Sequence, residues 1–265
     1  GGLAGISEYG YISSCHVSGD ISGTSNVGGI TGESNTDKEI DDCSFSGTVS
    51  ANTYAGGLFG LFGPGRISNS HFTGDVKASG DAVGGLVGEN KYNCFVDNCY
   101  VTGTVSGSNS VGGIVGFNTG HDTLTNCSAI VDVKGTYSVG GLVGYNYNKS
   151  CIKSCHSQGT VSGISPVGGL AGLNLERCSI SNSYSFCDVS GIENSIGGLV
   201  GRNTGNCYIN SCNAGGNVSG KDYVGGVVGE NYDGSRQFSE VETALVNIIY
   251  DRLAQQIFNR TFGNW

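Results

Sequence analysis

The sequence contains no methionine, only two prolines and one tryptophan among its 265 residues. Charged residues make up 13% of the chain, well below the usual quarter. The scarcity of proline excludes a collagen helix, although glycine accounts for 48 residues. No apolar run reaches the roughly 18 residues that a transmembrane helix needs. Apolar residues make up 37% of the chain, so we expect a thin core.

Positive charge is also scarce. The formal net charge is −9 and the pI is about 4.8. This balance excludes the basic surface that nucleic-acid binding requires and disfavours docking on anionic lipid. The chain lacks methionine and begins inside its own repeat at Gly1-Gly2, so we expect a fragment of a longer array.

An internal repeat of about 28 residues runs through most of the chain. A Gly-Gly-apolar-any-Gly motif opens at Gly1, Gly28, Gly56, Gly84, Gly112, Gly140, Gly168, Gly197 and Gly225. A second motif lies between these copies and starts at Ile12, Ile40, Ile67, Val96, Leu124, Ile152, Ile180 and Ile209. Because the two motifs recur in step, the chain is a repeat array.

The second motif predicts a half-buried β-strand, since its residues alternate in character. One parity holds Cys99, Val101 and Val105, and the other holds Tyr100, Thr102, Thr104 and Ser106. Val96 has the wrong parity, so we expect a corner at Asp97-Asn98 to bring it back inside. Residues 83–88 predict a second short strand with a bend at its glycines, which accept positive φ without a steric penalty.

These patterns predict an all-β fold, a parallel β-solenoid (β-helix) of about eight 28-residue coils over residues 1–230. Each coil would hold two or three short strands. One coil cannot bury its apolar residues alone, but stacked coils form parallel sheets around one continuous core. A helical repeat is rejected, because glycine at every motif position would cost about 1 kcal/mol each in a helix.

One outward column supports the stacking. Its members from coil to coil are Asp20, Thr48, Asp75, Thr104, Asp132, Thr160, Asp188 and Asn217. Acidic residues alternate with neutral ones, which keeps like charges from lying opposite each other on neighbouring strands. Lys77 and Lys134 occupy the next outward site beside Asp75 and Asp132. This pattern is typical of a solvated sheet face.

Residues 231–265 depart from the repeat and form a second predicted unit. Ser239 and Glu242 form a capping box, and apolar residues then follow helical spacing. We predict a helix from about 239 to 259. It would cap the exposed core of the last coil, as solenoids require, or serve as a tail for a partner or a fused unit.

The motifs resemble the GLUG repeat family, named for its Gly-Leu-any-Gly core. The matching segments are 57–60, 85–88, 141–144, 169–172 and 198–201, together with the Ile/Val-x-Asn/Ser-Cys/Ser-Tyr/His stretches. The resemblance covers residues 1 to about 230. It implies a bacterial secreted or surface protein, such as an adhesin or a segment of a large immunoglobulin-cleaving peptidase, and it supplies no catalytic residue. The tail resembles, over a short stretch, the end of a lipopolysaccharide-assembly lipoprotein family.

The eleven cysteines are candidates for disulfide or metal chemistry. One inward column holds Cys15, Cys43, Cys99, Cys127, Cys155 and Cys212, with Ser70 and Ser183 in the other coils. Four further cysteines lie four or five residues before a position of this column: Cys94, Cys151, Cys178 and Cys207. Cys187 belongs to neither group. None has zinc-site spacing. We favour a stack of buried free thiols, and within-coil disulfides such as Cys94–Cys99 and Cys207–Cys212 remain the alternative.

The histidines and the corner acids do not form a site. One outward column holds His16, His71 and His156, but in coils 1, 3 and 6, so they cannot converge on a metal. We expect these residues and His121 to be solvent-exposed. Asp41-Asp42 and Asp97 are expected to accept turn hydrogen bonds rather than bind calcium. We therefore assign no catalytic, cofactor-binding or metal-binding residue.

The sequence favours a non-catalytic structural or adhesive segment of a bacterial secreted or cell-surface protein, for example on the outer membrane. It would act as a stalk, a spacer or a binding surface. The expected partners are surface proteins or glycans, and neighbouring repeats or subunits. Two alternatives stay open: an accessory segment of a larger surface peptidase, and a carbohydrate-binding or carbohydrate-cleaving β-helix. The outward aromatic residues Tyr100 and Tyr184 support the second alternative.

Overall fold

The computed structural model describes residues 1–35 and 37–231, which form a parallel β-solenoid of about eight coils. Each coil contributes one strand to each of four sheets, and every strand pairs in parallel with its counterparts in adjacent coils. The predicted solenoid is confirmed. The prediction of two or three strands per coil is wrong, because a coil holds four.

The strands of the first four coils are β1 Ala4–Glu8, β2 Ile12–Ser13, β3 His16–Ser22, β4 Ser25–Gly28, β5 Thr31–Asn35, β6 Glu39–Asp41, β7 Ser44–Ala51, β8 Thr53–Gly56, β9 Phe59–Phe62, β10 Gly65–Ser68, β11 His71–Ala78, β12 Val83–Gly84, β13 Val87–Lys91, β14 Cys94–Asp97, β15 Tyr100–Ser106 and β16 Asn109–Gly112. The remaining strands are β17 Val115–Thr119, β18 Thr123–Thr125, β19 Ser128–Lys134, β20 Tyr137–Gly140, β21 Val143–Tyr147, β22 Cys151–Lys153, β23 His156–Gly163, β24 Val167–Gly168, β25 Ala171–Leu175, β26 Ser179–Ser181, β27 Tyr184–Gly191, β28 Asn194–Gly197, β29 Val200–Thr204, β30 Tyr208–Asn210, β31 Asn213–Ala214, β32 Val218–Ser219, β33 Asp222–Gly225 and β34 Val228–Asn231.

The four sheets run the length of the described solenoid. Sheet A contains the first strand of each coil, from β1 to β34, and sheet B contains the second, from β2 to β30. Sheet C contains the third, from β3 to β31, with β32 also paired with β27. Sheet D contains the fourth, from β4 to β33. Equivalent residues are therefore stacked in columns, one per coil.

The corner between sheets B and C has the geometry that the Asp97-Asn98 pair predicts. Asn98 has a φ of 50°, in the left-handed region that asparagine tolerates better than most residues. The same corner has positive φ in every described coil, at Ser14, Asp42, Asn69, Asn98, Asn126, Ser154, Asn182 and Ser211. The turn returns Val96 to the interior, where it is fully buried. The predicted corner is confirmed.

The Gly-Gly motif works differently from the prediction. Gly84 ends β12 and Val87 begins β13, so the segment joins strands of two different sheets. Neither Gly84 nor Gly85 has positive φ. A Cβ on Gly85 would instead lie 2.1 Å from the carbonyl oxygen of Gly113 and 2.6 Å from Cγ1 of Val101. Glycine is required here because neighbouring backbones approach too closely for any side chain.

One apolar core fills the space between the sheets. Cys99, Val101 and Val105 point into it, as their parity predicts. In the early coils the core also holds Phe45 and Phe72, whose rings stack with centroids 6.0 Å apart. Because the core is continuous along the axis, each coil is stabilised mainly by its two neighbours.

The predicted helix at 239–259 lies outside the described residues. The division of the chain near residue 230 therefore stays a prediction, although strands continue to Asn231. Among the residues that the structure describes, no helix is long and apolar enough to cross a bilayer.

Candidate functional site: the outer face of sheet C

Sheet C has the longest strand in each of the first seven coils and presents several outward columns of side chains. In β15 the outward residues are Tyr100, Thr102, Thr104 and Ser106, which alternate with buried Val101 and Val105. The register pairs each of them with the equivalent residue of the next coil. A ligand on this face would therefore contact equivalent residues of successive coils.

The first outward column is rich in aromatic rings. Its members in coil order are His16, Ser44, His71, Tyr100, Ser128, His156, Tyr184 and Asn213. The rings of His71 and Tyr100 stack with centroids 4.6 Å apart and planes within 5°. Those of His156 and Tyr184 stack at 4.9 Å and within 9°. These separations match the spacing of about 4.8 Å between adjacent strands, so the ring planes lie across the solenoid axis.

The stacking corrects one expectation from the sequence. His71 and His156 are half-buried rather than solvent-exposed, because each ring is covered on one side by a tyrosine. His16 and His121 are exposed, as expected. Burial lowers the pKa of both His71 and His156, which favours their neutral forms.

The second outward column adds exposed apolar surface beside the rings. Ile130 is 52% exposed and Phe186 is 51% exposed, and Phe186 packs at 5.3 Å against the ring of Tyr184. Tyr100 itself remains 45% exposed. Clustered exposed aromatic and aliphatic groups of this kind mark interaction surfaces more often than scattered single residues do.

The acidic column alternates as predicted, and the structure adds a reason. Asp75 accepts a hydrogen bond of 2.6 Å from the hydroxyl of Thr104 in the next coil, and Asp132 accepts one of 2.7 Å from Thr160. Lys77 also lies 2.8 Å from Asp75, as its position predicts. The hydrogen bond from Lys77, followed by that from Thr104, lowers the pKa of Asp75. The neutral residues between the acids are therefore their hydrogen-bond donors.

The corner carboxylates Asp41 and Asp97 accept hydrogen bonds, and the donors of these bonds lie in the next coil rather than in the same turn. Asp41 accepts from the Ser68 hydroxyl at 2.9 Å and from the Asn69 amide at 2.7 Å. Asp97 accepts from the Thr125 hydroxyl at 2.7 Å. Asp97 also forms an ion pair of 2.5 Å with the guanidinium of Arg66, which contacts Glu39 at 3.1 Å on its other side. These side chains link adjacent coils along sheet B.

The eleven cysteines are free thiols, and nine of them are buried inside the solenoid. The predicted inward column is confirmed: Cys99, Cys127 and Cys155 are stacked in consecutive coils and are buried. Burial raises the pKa of the Cys43 thiol in the same column to about 11. Three of the four cysteines that precede this column, Cys94, Cys178 and Cys207, lie in a second inward column, whereas Cys151 is half-buried and lies one position away from it. That column holds Cys94, Asp122, Ser150, Cys178 and Cys207.

Asp122 is a fully buried carboxylic acid within this second inward column. One oxygen accepts a hydrogen bond of 2.8 Å from the backbone amide of Cys94, and the other is buried without a partner. Burial raises the pKa of Asp122 to about 7, and the nearby carboxylate of Glu89 adds to the shift. Over the described ranges, no three histidine, cysteine or acidic side chains are grouped so that they could hold a metal ion.

Sequence reasoning missed a ladder of asparagines, which are buried except for half-buried Asn231 at its end. Their side-chain amides are hydrogen-bonded from coil to coil through Asn90, Asn118, Asn146, Asn174, Asn203 and Asn231. The signal was present in the sequence, because asparagine occupies the seventh position of the Gly-Gly motif in six consecutive copies. Without the coil geometry, this position looked like one more polar residue at a strand end.

The four stacked parallel sheets define the molecule as a member of the class of parallel β-solenoid repeat proteins. Within it, residues 79–106, 107–134 and 135–162 are three tandem GLUG motifs, since each matches the family model for the GLUG motif. The resemblance inferred from the sequence is thereby confirmed over residues 79–162. The match covers the coils that carry Tyr100, Ser128 and His156.

No curated protein sequence matches this chain significantly. A crystal structure from Bacteroides ovatus, provisionally assigned as an immunoglobulin A1 protease, is similar with 20% identity and a TM-score of 0.46. The alignment covers 77% of this chain and 57% of that one. The chain thus spans little more than half the length of the similar structure.

Proposed function

We propose that the chain is a non-catalytic structural or adhesive repeat segment of a bacterial secreted or cell-surface protein, where it acts as a stalk, a spacer or a binding surface. One observation carries this proposal: the described coils repeat the same four strands with little variation. The acidic groups are spaced evenly along the columns and are engaged by their neighbours. Such uniformity suits a rigid support and does not concentrate reactive groups in one place.

The proposal predicts where the protein resides. In the bacterium that carries the complete gene, an antibody against the solenoid should label intact cells, or the antigen should accumulate in the medium. A cytoplasmic enzyme detected in parallel controls for lysis. Labelling that requires permeabilised cells would overturn the surface role.

The sequence of the complete gene distinguishes two functions: a stalk or adhesin, and the accessory segment of a larger surface peptidase. The second function needs a catalytic domain outside this chain. If the complete gene encodes such a domain, removing the solenoid should change substrate capture or cell attachment while the isolated domain still cleaves. If no such domain is encoded, the peptidase alternative is eliminated.

A further inference from the structure

The aromatic column of sheet C contains a gap with a ring on each side. Tyr100 has one face covered by His71, and His156 has one face covered by Tyr184. Ser128 lies between them and is the register partner of both Tyr100 and His156. The uncovered faces of Tyr100 and His156 therefore look toward each other across a single serine. We call this gap the Ser128 slot.

The width of the Ser128 slot follows from the coil spacing. Two steps of about 4.8 Å place the two ring planes about 9.6 Å apart. A flat aromatic guest in contact with both rings needs about 7–8 Å, at about 3.5–4.0 Å for each contact. A saturated six-membered ring is thicker, because it is puckered and carries axial C–H bonds on both faces. It fills the remaining distance better than an aromatic ring does.

The two aromatic rings that border the Ser128 slot, Tyr100 and His156, also have the chemistry to bind a saturated six-membered ring. The faces of aromatic rings are electron-rich, so they attract the positive ends of C–H bonds. His156 contributes as a neutral ring near pH 7, since burial lowers its pKa. Tyr184 and His71 hold the two wall rings from behind at 4.9 Å and 4.6 Å, which keeps the slot open before a ligand arrives.

The floor and rim of the slot supply polar groups. The Ser128 hydroxyl has no hydrogen-bond partner within residues 1–35 and 37–231, so it is available to a ligand. The next outward column places Thr102, Ile130 and Gln158 in register beside the slot. The rim thus offers a hydroxyl, an aliphatic side chain and an exposed amide. A sugar ring, with apolar faces and hydroxyls around its edge, matches this mixture.

We propose that the Ser128 slot binds one pyranose ring of a glycan, sandwiched between Tyr100 and His156. This deepens the proposed adhesive function and rests on it, since it names glycans as the surface ligand. The ring enters with its faces toward the two aromatic rings and its edge toward Ser128 and Gln158. Binding is non-covalent and leaves the glycan intact.

The same column contains a closely matched gap that does not meet these conditions. Ser44 lies between His16 and His71, but its hydroxyl is hydrogen-bonded at 2.8 Å to Nδ1 of His16. The floor of that gap is therefore already occupied by a protein side chain. It provides a control at an equivalent position three coils away.

The test uses the full chain and three soluble probes: maltotriose, cellotriose and chitotriose. Saturation-transfer NMR and calorimetry should detect at least one of them with a dissociation constant near 1 mM, a scale typical of weak single-site binding. Ser128→Tyr should continue the aromatic stack, fill the slot and weaken binding at least tenfold. Ser44→Tyr, the same substitution in the control gap, should leave binding unchanged. Circular dichroism verifies that each variant keeps its β-structure.

Tyr100→Leu provides a second variant in case Ser128→Tyr does not fold, and it should also weaken binding at least tenfold. The proposal is overturned if none of the three probes binds at about 20 mM, well above the expected constant. It is equally overturned if Ser128→Tyr binds as the parent does, or if phenol competes for the slot while sugars do not. None of these outcomes affects the cell-labelling experiment, so failure of the slot and failure of the surface role are distinguishable.

Discussion

The side-chain amide of Asn118 donates a hydrogen bond of 2.9 Å to the side-chain oxygen of Asn146, its equivalent in the next coil. The same bond recurs from Asn90 to Asn231, always donated toward the C-terminal neighbour. Asn118 and Asn146 are fully buried, so their amides have no access to water. Hydrogen bonds aligned in this way polarise one another in a low-dielectric interior. The ladder therefore couples adjacent coils and penalises any slip of register.

Interrupting this ladder should be costly. Asn146→Leu leaves the amide of Asn118 without an acceptor and the oxygen of Asn174 without a donor. We expect a loss of about 3 kcal/mol in the free energy of unfolding, measured by urea titration with far-UV circular dichroism. Asn213→Leu, at an exposed site on sheet C, should change stability by less than about 0.5 kcal/mol. Equal losses for the two variants would show that the ladder is not a special source of stability.

The asparagine ladder also shows how far the sequence alone could lead. The repeat length and the alternation around Cys99 and Val101 were enough to predict a parallel stack with an inward thiol column. The number of strands per coil was not predictable, because Gly84 was read as a bend within one strand. The turn at Gly84 instead joins strands of two different sheets. Its conformation is fixed by close contacts with the backbone of the next coil, which the sequence pattern does not reveal.

The aromatic column was accessible in part. Once the coils are stacked, the repeat length places His71 beside Tyr100 and His156 beside Tyr184. Whether such rings stack or splay depends on side-chain packing, which a strand pattern does not contain. The uncovered faces on either side of Ser128 were therefore visible only in the structure.

The Gly-Gly motif makes a sharp steric prediction. Gly85→Ala places a Cβ 2.1 Å from the carbonyl oxygen of Gly113, where only a backbone shift can relieve the clash. We expect a loss of about 3 kcal/mol in the free energy of unfolding. Gly5→Ala, in a strand where a Cβ would meet no atom within 4 Å, should be neutral or stabilise by up to about 1 kcal/mol. The midpoint temperature of unfolding should therefore fall clearly for Gly85→Ala and stay unchanged or rise for Gly5→Ala. Similar midpoints would mean that the coils yield easily at the motif.

The acidic column predicts an effect that depends on salt. Thr160→Asp removes a donor to Asp132 and places three acids in register, since Asp188 is the partner on the other side. We expect a loss of about 1 kcal/mol in dilute buffer, largely relieved in about 1 M salt. Thr102→Asp is the matched control, because its register partners Thr73 and Ile130 carry no charge. A loss that is identical for both variants, or unaffected by salt, would contradict electrostatic alternation.

The thiol column makes a prediction about reactivity. All eleven cysteines should react with a thiol reagent after unfolding. In the native protein only half-buried Cys15 and Cys151 should react quickly, because the other nine are buried. Cys151→Ser should remove one fast-reacting thiol, whereas Cys127→Ser should remove a slow one. Three or fewer reactive thiols in the unfolded, unreduced protein would instead indicate disulfides such as Cys94–Cys99.

The last prediction concerns Asp122, whose unpartnered oxygen makes ionisation costly inside the stack. Its pKa of about 7 in the folded chain exceeds the usual 3.8, so the folded state holds a proton that the unfolded state releases. The contribution of Asp122 to stability should therefore be complete below about pH 4 and be lost as the pH rises toward 7, by up to about 4 kcal/mol. Asp122→Asn should match the parent near about pH 4 and exceed it near about pH 8, measured by urea unfolding across that range. Asp222→Asn, at an exposed site in the last described coil, should track the parent throughout. If the difference in the free energy of unfolding between Asp122→Asn and the parent does not grow with pH, Asp122 ionises in the folded protein without the expected cost, and the prediction is wrong.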